Sequence, residues 1–208
     1  YFFYETGRLL GIERMNAYAK TLGLGSETGV ELKESTGSLA GPEEREAAGR
    51  VWYPGDTLQA AIGQSDNLFT PLQMCMYIST LCNGGTRYQA HLYHQTVDYN
   101  TGEVLDAYTS NVLGKAQISS EHLGLIKSAM STIATAVFPQ STTTYTVGGK
   151  TGTAQVGANA SENALYAAFA PLDNPQIVAY CVIEHGSTGG NAGIAIRSVL
   201  DSYFASNG

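Results

Sequence analysis

Three features of the 208-residue chain predict an α+β fold with an antiparallel sheet flanked by helices. Helical patterning dominates to about residue 136. Three apolar strand candidates, Val147–Val156, Ala164–Ala170 and Ile177–Glu184, then follow in quick succession, and an apolar helix closes the chain. Strands joined by short turns have no room for a crossover helix, so they pair antiparallel. The helices on either side of them supply the covering layer.

The elements follow from local signals. Tyr1 to Gly25 carries Phe2, Leu9, Ile12, Met15, Tyr18 and Leu22 at spacings of three, four and seven, the pattern of a buried helical face. Gly7, Gly11, Gly23 and Gly25 interrupt it, so two short helices are expected. Lys33 to Arg50 is polar, contains Gly37, Gly41 and Pro42, and reads as a surface loop. A short helix is expected after Trp52-Tyr53-Pro54-Gly55, ending near Gly63. Thr70 caps the next helix with Pro71 in its first position, and Asn83-Gly84-Gly85 closes it after Leu81. Leu92–Val97 and Glu103–Tyr108 flank Asp98-Tyr99-Asn100-Thr101-Gly102, a hairpin signal. Ser119-Ser120-Glu121 opens a helix to about Ala136 with Leu123, Ile126, Met130 and Ile133 on one face. Asp173-Asn174-Pro175 turns the last two strands, and the closing helix spans about Asn191 to Phe204.

Composition narrows the function classes. Charged residues make up 14% of the chain and its formal charge is −7, with no Lys/Arg run, which excludes the basic face of a nucleic-acid binder. The apolar stretches are about half the length of a membrane span. Cys75 and Cys82 share a helical face roughly 10 Å apart, too far for a disulfide, and with Cys181 they read as small buried hydrophobes. No zinc spacing is present. His91 and His94, three apart at a strand start, point to opposite faces and make a poor metal pair.

The chemistry concentrates in Val147-Gly148-Gly149-Lys150-Thr151-Gly152-Thr153-Ala154-Gln155. A phosphate-binding loop would need glycine at position 144, which is threonine, and a helix after the lysine, where strand-like residues continue. Lys-Thr-Gly on an edge strand is instead an element of penicillin-reactive serine acyltransferases. Gly152 lets a substrate backbone lie alongside, and the Thr153 N–H can serve as an oxyanion donor. Lys150 with the Thr151 and Thr153 hydroxyls suits a peptide carboxylate.

Gly148 to Gln155 resembles the GKTGTAQ form of monofunctional (class B) penicillin-binding proteins. Pro54-Gly55-Asp56-Thr57, Ala61-Ile62-Gly63-Gln64, Thr70-Pro71-Leu72-Gln73 and Asn83-Gly84-Gly85 resemble that family's linear order upstream. Ala168-Phe169-Ala170-Pro171 and Ile183-Glu184-His185-Gly186 resemble it downstream. The resemblance implies the penicillin-binding transpeptidase (serine β-lactamase-like) fold and a parent that is a D,D-transpeptidase of peptidoglycan. It further implies Lys150, Thr151, Gly152 and Thr153 as the substrate-binding strand, with Thr153 supplying the oxyanion-hole N–H. Gln64 is possible site lining, and so is His185 near the Gly-rich turn, for which a solvent-exposed strand end is the competing account. Stem peptides and β-lactams are the implied ligands, other cell-wall synthesis proteins the implied partners, with no metal or organic cofactor. An extracytoplasmic location behind an N-terminal membrane anchor is implied for the parent.

The family's Ser-x-x-Lys nucleophile motif does not occur in the chain. Ser65-Asp66-Asn67 matches the family's Ser-x-Asn by letter, but it sits where relatives carry a Gly-Gln-Gly turn. The opening Tyr1-Phe2-Phe3-Tyr4-Glu5-Thr6-Gly7 resembles what directly follows the true motif. The expectation is therefore one partial domain, residues 1–208, the C-terminal portion of a transpeptidase domain, inactive alone. Its helical part should span about 1–136, and its sheet and closing helix about 145–206. The competing readings are a non-catalytic scaffold of the same fold and a serine β-lactamase or β-lactam sensor. In the latter Ser65-Asp66-Asn67 would be genuine.

Overall fold

A computed structural model describes residues 1–139, 141–157 and 160–207. In chain order the elements are α1 (Phe2–Leu10), α2 (Ile12–Thr21), α3 (Pro42–Ala47), α4 (Pro54–Ala61), α5 (Pro71–Cys82), β1 (Thr86–Tyr88), β2 (Gln95–Val97), β3 (Val104–Ala107) and β4 (Val112–Lys115). There follow α6 (Ser120–Ala134), β5 (Gly148–Ala154), β6 (Asn163–Ala170), β7 (Ile177–Ile183) and α7 (Gly189–Asn207). The three late strands pair antiparallel in the order β5-β6-β7, and helices cover both faces, as the patterning predicts. This is the α+β architecture expected.

Alternation along β6 divides the core in two. Ala164, Tyr166, Ala168 and Ala170 face Ala192, Ile196 and Leu200 of α7 together with Ala134 and Phe138. Ala167 and Phe169 face Ile78 and Leu81 of α5 and Met130 of α6. The run of alanines lets α7 lie close to the sheet. Gly189 takes this furthest, because a Cβ there would stand 2.7 Å from the Gly152 carbonyl oxygen.

Capping chemistry sets the middle helices. Thr70 Oγ1 accepts from the Gln73 N–H and Gln73 Oε1 accepts from the Thr70 N–H, a closed capping box with Pro71 in the first turn. Asp56 Oδ2 accepts from the Tyr53 N–H at the start of α4, and Ser119 accepts from the His122 N–H to start α6. The expected hairpin forms between β2 and β3. Asp98 Oδ1 accepts from the N–H groups of Asn100 and Thr101 in its turn.

Four sequence expectations need correction. The Lys33–Arg50 stretch is not merely a surface loop. Gly41 and Pro42 are the cap and first residue of α3, while Leu39 and Ala40 are buried and Ser38 bridges Leu68. The apolar stripe of residues 1–22 is not a buried face, since Phe2, Leu9 and Tyr18 are exposed. α1 meets α4 through Gly7, where a Cβ would fall 2.2 Å from Ala61 Cβ, so the contact is built on the smallest residue. On α6 the covered stripe is Leu123, Lys127, Met130 and Ala134. Lys127 lays its stem inward and donates from Nζ to the Cys82 carbonyl, which leaves Ile126 and Ile133 at the surface. The three cysteines are free thiols, half-buried rather than fully buried.

Candidate active-site strand

β5 needs two glycines before its lysine because an aromatic ring of β6 lies over it on each face. A Cβ at Gly148 would meet the Phe169 ring at 2.2 Å, and one at Gly149 would meet Tyr166 Oη at 2.4 Å. Both neighbours are fully buried, so the strand is clamped from above and below just before Lys150. Beyond the clamp it emerges. Lys150 and Thr153 are exposed, and Thr151 and Gly152 half-buried.

Register fixes which way each group points. Lys150 pairs with Ala167 and Gly152 with Leu165, so their α-substituents share the α5 face. Thr151 and Thr153, opposite Tyr166 and Ala164, take the α7 face. Only one flank of β5 carries a strand among the described residues. Lys150 Nζ donates to the Thr151 carbonyl at 2.6 Å and Gln64 Nε2 donates to the Thr153 carbonyl at 3.4 Å. A residue's N–H and C=O leave a strand on the same side. The main-chain donors of Thr151 and Thr153 therefore also face the open flank. The result is a lysine, two hydroxyls and two outward N–H groups within four residues, donor groups whose chemistry suits a carboxylate or an oxyanion.

Gln64, expected as site lining, reaches this edge from the turn after α4. Its base is rigid. The Gln64 N–H donates to the Gln59 carbonyl, and Asn67 Nδ2 donates to the carbonyls of Ala60 and Gln64. Arg45 donates to Asp66, to Asp56 of α4 at 2.8 Å and to the Val51 carbonyl, with Arg50 adding a second donor to Asp66. The Arg45 hydrogen bond holds the Asp66 carboxyl below the usual carboxylate range, against the opposing effect of partial burial. The guanidinium also stacks over Trp52.

The same contacts describe Ser65-Asp66-Asn67. Ser65 adopts a left-handed φ of 67°, Asp66 is held by two arginines, and Asn67 Oδ1 accepts from the Ala40 N–H. All three side chains are engaged in holding this turn. No local sequence signal announces the Arg45 network, because its acidic partners lie 11 and 21 residues away.

His185 is not brought to the edge. It follows β7, with β6 between it and β5, and its Nδ1 and N–H pair with the Ser161 carbonyl and Asn163 Oδ1. His91 stacks on Tyr108, and the described residues hold no cluster of three or more His, Cys, Asp or Glu side chains placed for a metal. A cavity of about 300 Å³ opens between α5 and β7, lined by Cys75, Cys82 and Val178 among others. It lies at the β7 side of the sheet, with β6 between it and the β5 edge.

Comparison with known proteins identifies the family and the fold. The family described as penicillin binding protein transpeptidase domain matches residues 1–201. The peptidoglycan D,D-transpeptidase MrdA of Salmonella typhimurium is 30% identical over 230 residues, covering 98% of this chain and 36% of that protein. The chain thus spans about a third of the length of that relative. Among solved structures, Pseudomonas aeruginosa PBP2 in complex with WCK 5153 superposes with a TM-score of 0.80 at 26% identity, over 97% of this chain and 46% of that one. The Helicobacter pylori complex between penicillin-binding protein PBP2 and MreC gives 0.76 at 26% identity, over 94% and 36%. The chain belongs to the penicillin-binding protein transpeptidase family, as a portion of a class B member related to MrdA and PBP2.

Proposed function

We propose that the protein containing this chain is a peptidoglycan D,D-transpeptidase and that Lys150–Thr153 is its acyl-donor strand. A serine from the remainder of the domain attacks the penultimate D-Ala carbonyl carbon of a stem peptide. The C–O bond forms, the C–N bond breaks, and the serine proton leaves with the terminal D-Ala amine. An amino group of a neighbouring strand then attacks the ester; a C–N bond forms, the acyl C–O bond breaks, and the proton shed by the amine returns to the serine oxygen. Splitting the transfer in this way replaces one hard step by two easier ones. The Thr153 N–H donates to the oxyanion in both halves, while Lys150 with the Thr151 and Thr153 hydroxyls holds the terminal carboxylate. β-Lactams enter as acyl donors whose leaving group stays tethered.

The observation that carries this reading is the open flank of β5, with the main-chain groups of Thr151 and Thr153 turned outward beside an exposed lysine. Family membership supports the reaction class. None of the described helices is long and apolar enough to cross a membrane. Placement on the extracytoplasmic face, behind an anchor elsewhere in the parent, accords with the family assignment, and so does a cell-wall partner of the MreC kind.

Labelling with fluorescent penicillin tests the proposal. The parent protein should label, and Lys150→Ala should slow its acylation by about 10- to 100-fold, the worth of one charge-assisted hydrogen bond. The 208-residue chain alone, having no Ser-x-x-Lys, should not label. Stable stoichiometric labelling of that chain, or a Lys150→Ala parent with an unchanged rate, would overturn the assignment.

A further inference from the structure

Two carbonyls on the outer edge of β5 already accept hydrogen bonds from the chain's own side chains. Lys150 Nζ takes the Thr151 carbonyl and Gln64 Nε2 takes the Thr153 carbonyl. A peptide that binds by strand addition gains its affinity from main-chain hydrogen bonds to such edge groups. Its amide N–H must therefore compete for an acceptor that is in use.

Gln64 is built for that role. Its main chain is pinned by Gln59, by Asn67 and, through Asp66, by Arg45 and Arg50. Its carboxamide ends a flexible stem that can swing away without disturbing the turn. The 3.4 Å bond to Thr153 is at the long end of hydrogen-bond range, and so is readily exchanged for a shorter one.

We propose that Gln64 is a latch on the acyl-donor edge: it holds the Thr153 carbonyl and must release it before a donor with its own amide N–H can pair there. The inference rests on the transpeptidase reading of the Lys150–Thr153 strand. Donors that present no N–H to Thr153 leave the latch closed and are indifferent to it.

The test uses the parent protein and two β-lactams. One is a penicillin with a side-chain amide, the other a carbapenem whose hydroxyethyl substituent has no N–H. Second-order acylation rates are measured for wild type, Gln64→Ala, Gln64→Asn (one methylene too short to reach) and Lys150→Ala. The penicillin-to-carbapenem rate ratio should rise by about 2- to 10-fold in both Gln64 variants, the worth of one neutral hydrogen bond. An unchanged or lower ratio overturns the latch. If a variant fails to fold, the acylated wild-type structure decides. Gln64 Nε2 should have left Thr153, and a retained bond beside a bound penicillin amide contradicts the proposal. Lys150→Ala separates the two claims. A collapsed rate there with a flat Gln64 ratio removes only the latch, whereas an unaffected Lys150→Ala rate removes the strand assignment and the latch together.

Discussion

Gly149 lies beneath the hydroxyl of Tyr166, close enough that a Cβ would stand 2.4 Å from Oη. With Gly148 under the Phe169 ring on the other face, this makes the clamp behind Lys150 a matter of side-chain absence. Both rings are buried and cannot retreat into solvent. Gly148→Ala and Gly149→Ala should each destabilise the protein by about 1–3 kcal/mol through overpacking, measured by urea unfolding. Among the described residues Tyr166 Oη has no hydrogen-bond partner, so Tyr166→Phe should recover part of the Gly149→Ala loss and none of the Gly148→Ala loss.

Gln73 ties the start of α5 to two distant segments. It is 2% exposed; its Oε1 accepts from the Thr70 N–H and its Nε2 donates to the Ser26 and Thr36 carbonyls at 2.7 and 2.6 Å. Truncation strands several buried backbone groups at once. Gln73→Ala should cost roughly 3 kcal/mol in urea unfolding, and Gln73→Met, which restores volume without donors, should recover little of it.

These two cases show where sequence reading succeeds and where it stops. Thr70-Pro71 and Ser119 announce their helices because a cap and its partner lie within three residues of each other. The three late strands are legible from apolar runs bounded by turns. β1 and β4 are not, because each is only three or four residues long and they pair across the intervening hairpin. Periodicity in residues 1–22 marks an apolar stripe but carries no information on what covers it, and Phe2 and Tyr18 lie exposed. At the site, Lys150–Thr153 is readable as a motif. The Gln64–Thr153 contact spans 89 residues and exists only in the fold.

The Asp66 carboxyl should make stability pH-dependent in a defined direction. Arg45 lowers its folded-state pKa, so the stabilising contribution is fully present above the unfolded carboxylate value of about 3.9. It is lost as pH falls through the folded value. The gap in urea midpoint between wild type and Asp66→Asn should be open at pH 7 and shrink below about pH 4. A gap constant down to pH 2 would mean that the ion pair contributes nothing.

Cys82, beside the α5–β7 cavity, is pushed up to about 11 by burial, with Lys127 opposing the shift. Cys75 is shifted the same way by burial. Thiolate is the reactive form, so at pH 7.5 iodoacetamide should modify these two cysteines far more slowly in the native protein than in urea. Site-resolved mass spectrometry reads the ratio, and equal native and unfolded rates would show that the α5–β7 seam is open.

The most direct measurement is a crystal structure of the parent protein acylated by a penicillin. The acyl carbonyl oxygen should lie about 2.7–3.1 Å from the Thr153 main-chain nitrogen, with the ligand carboxylate at Lys150 and the Thr151 hydroxyl. An acyl group seated elsewhere, with the outer flank of β5 untouched, would contradict it.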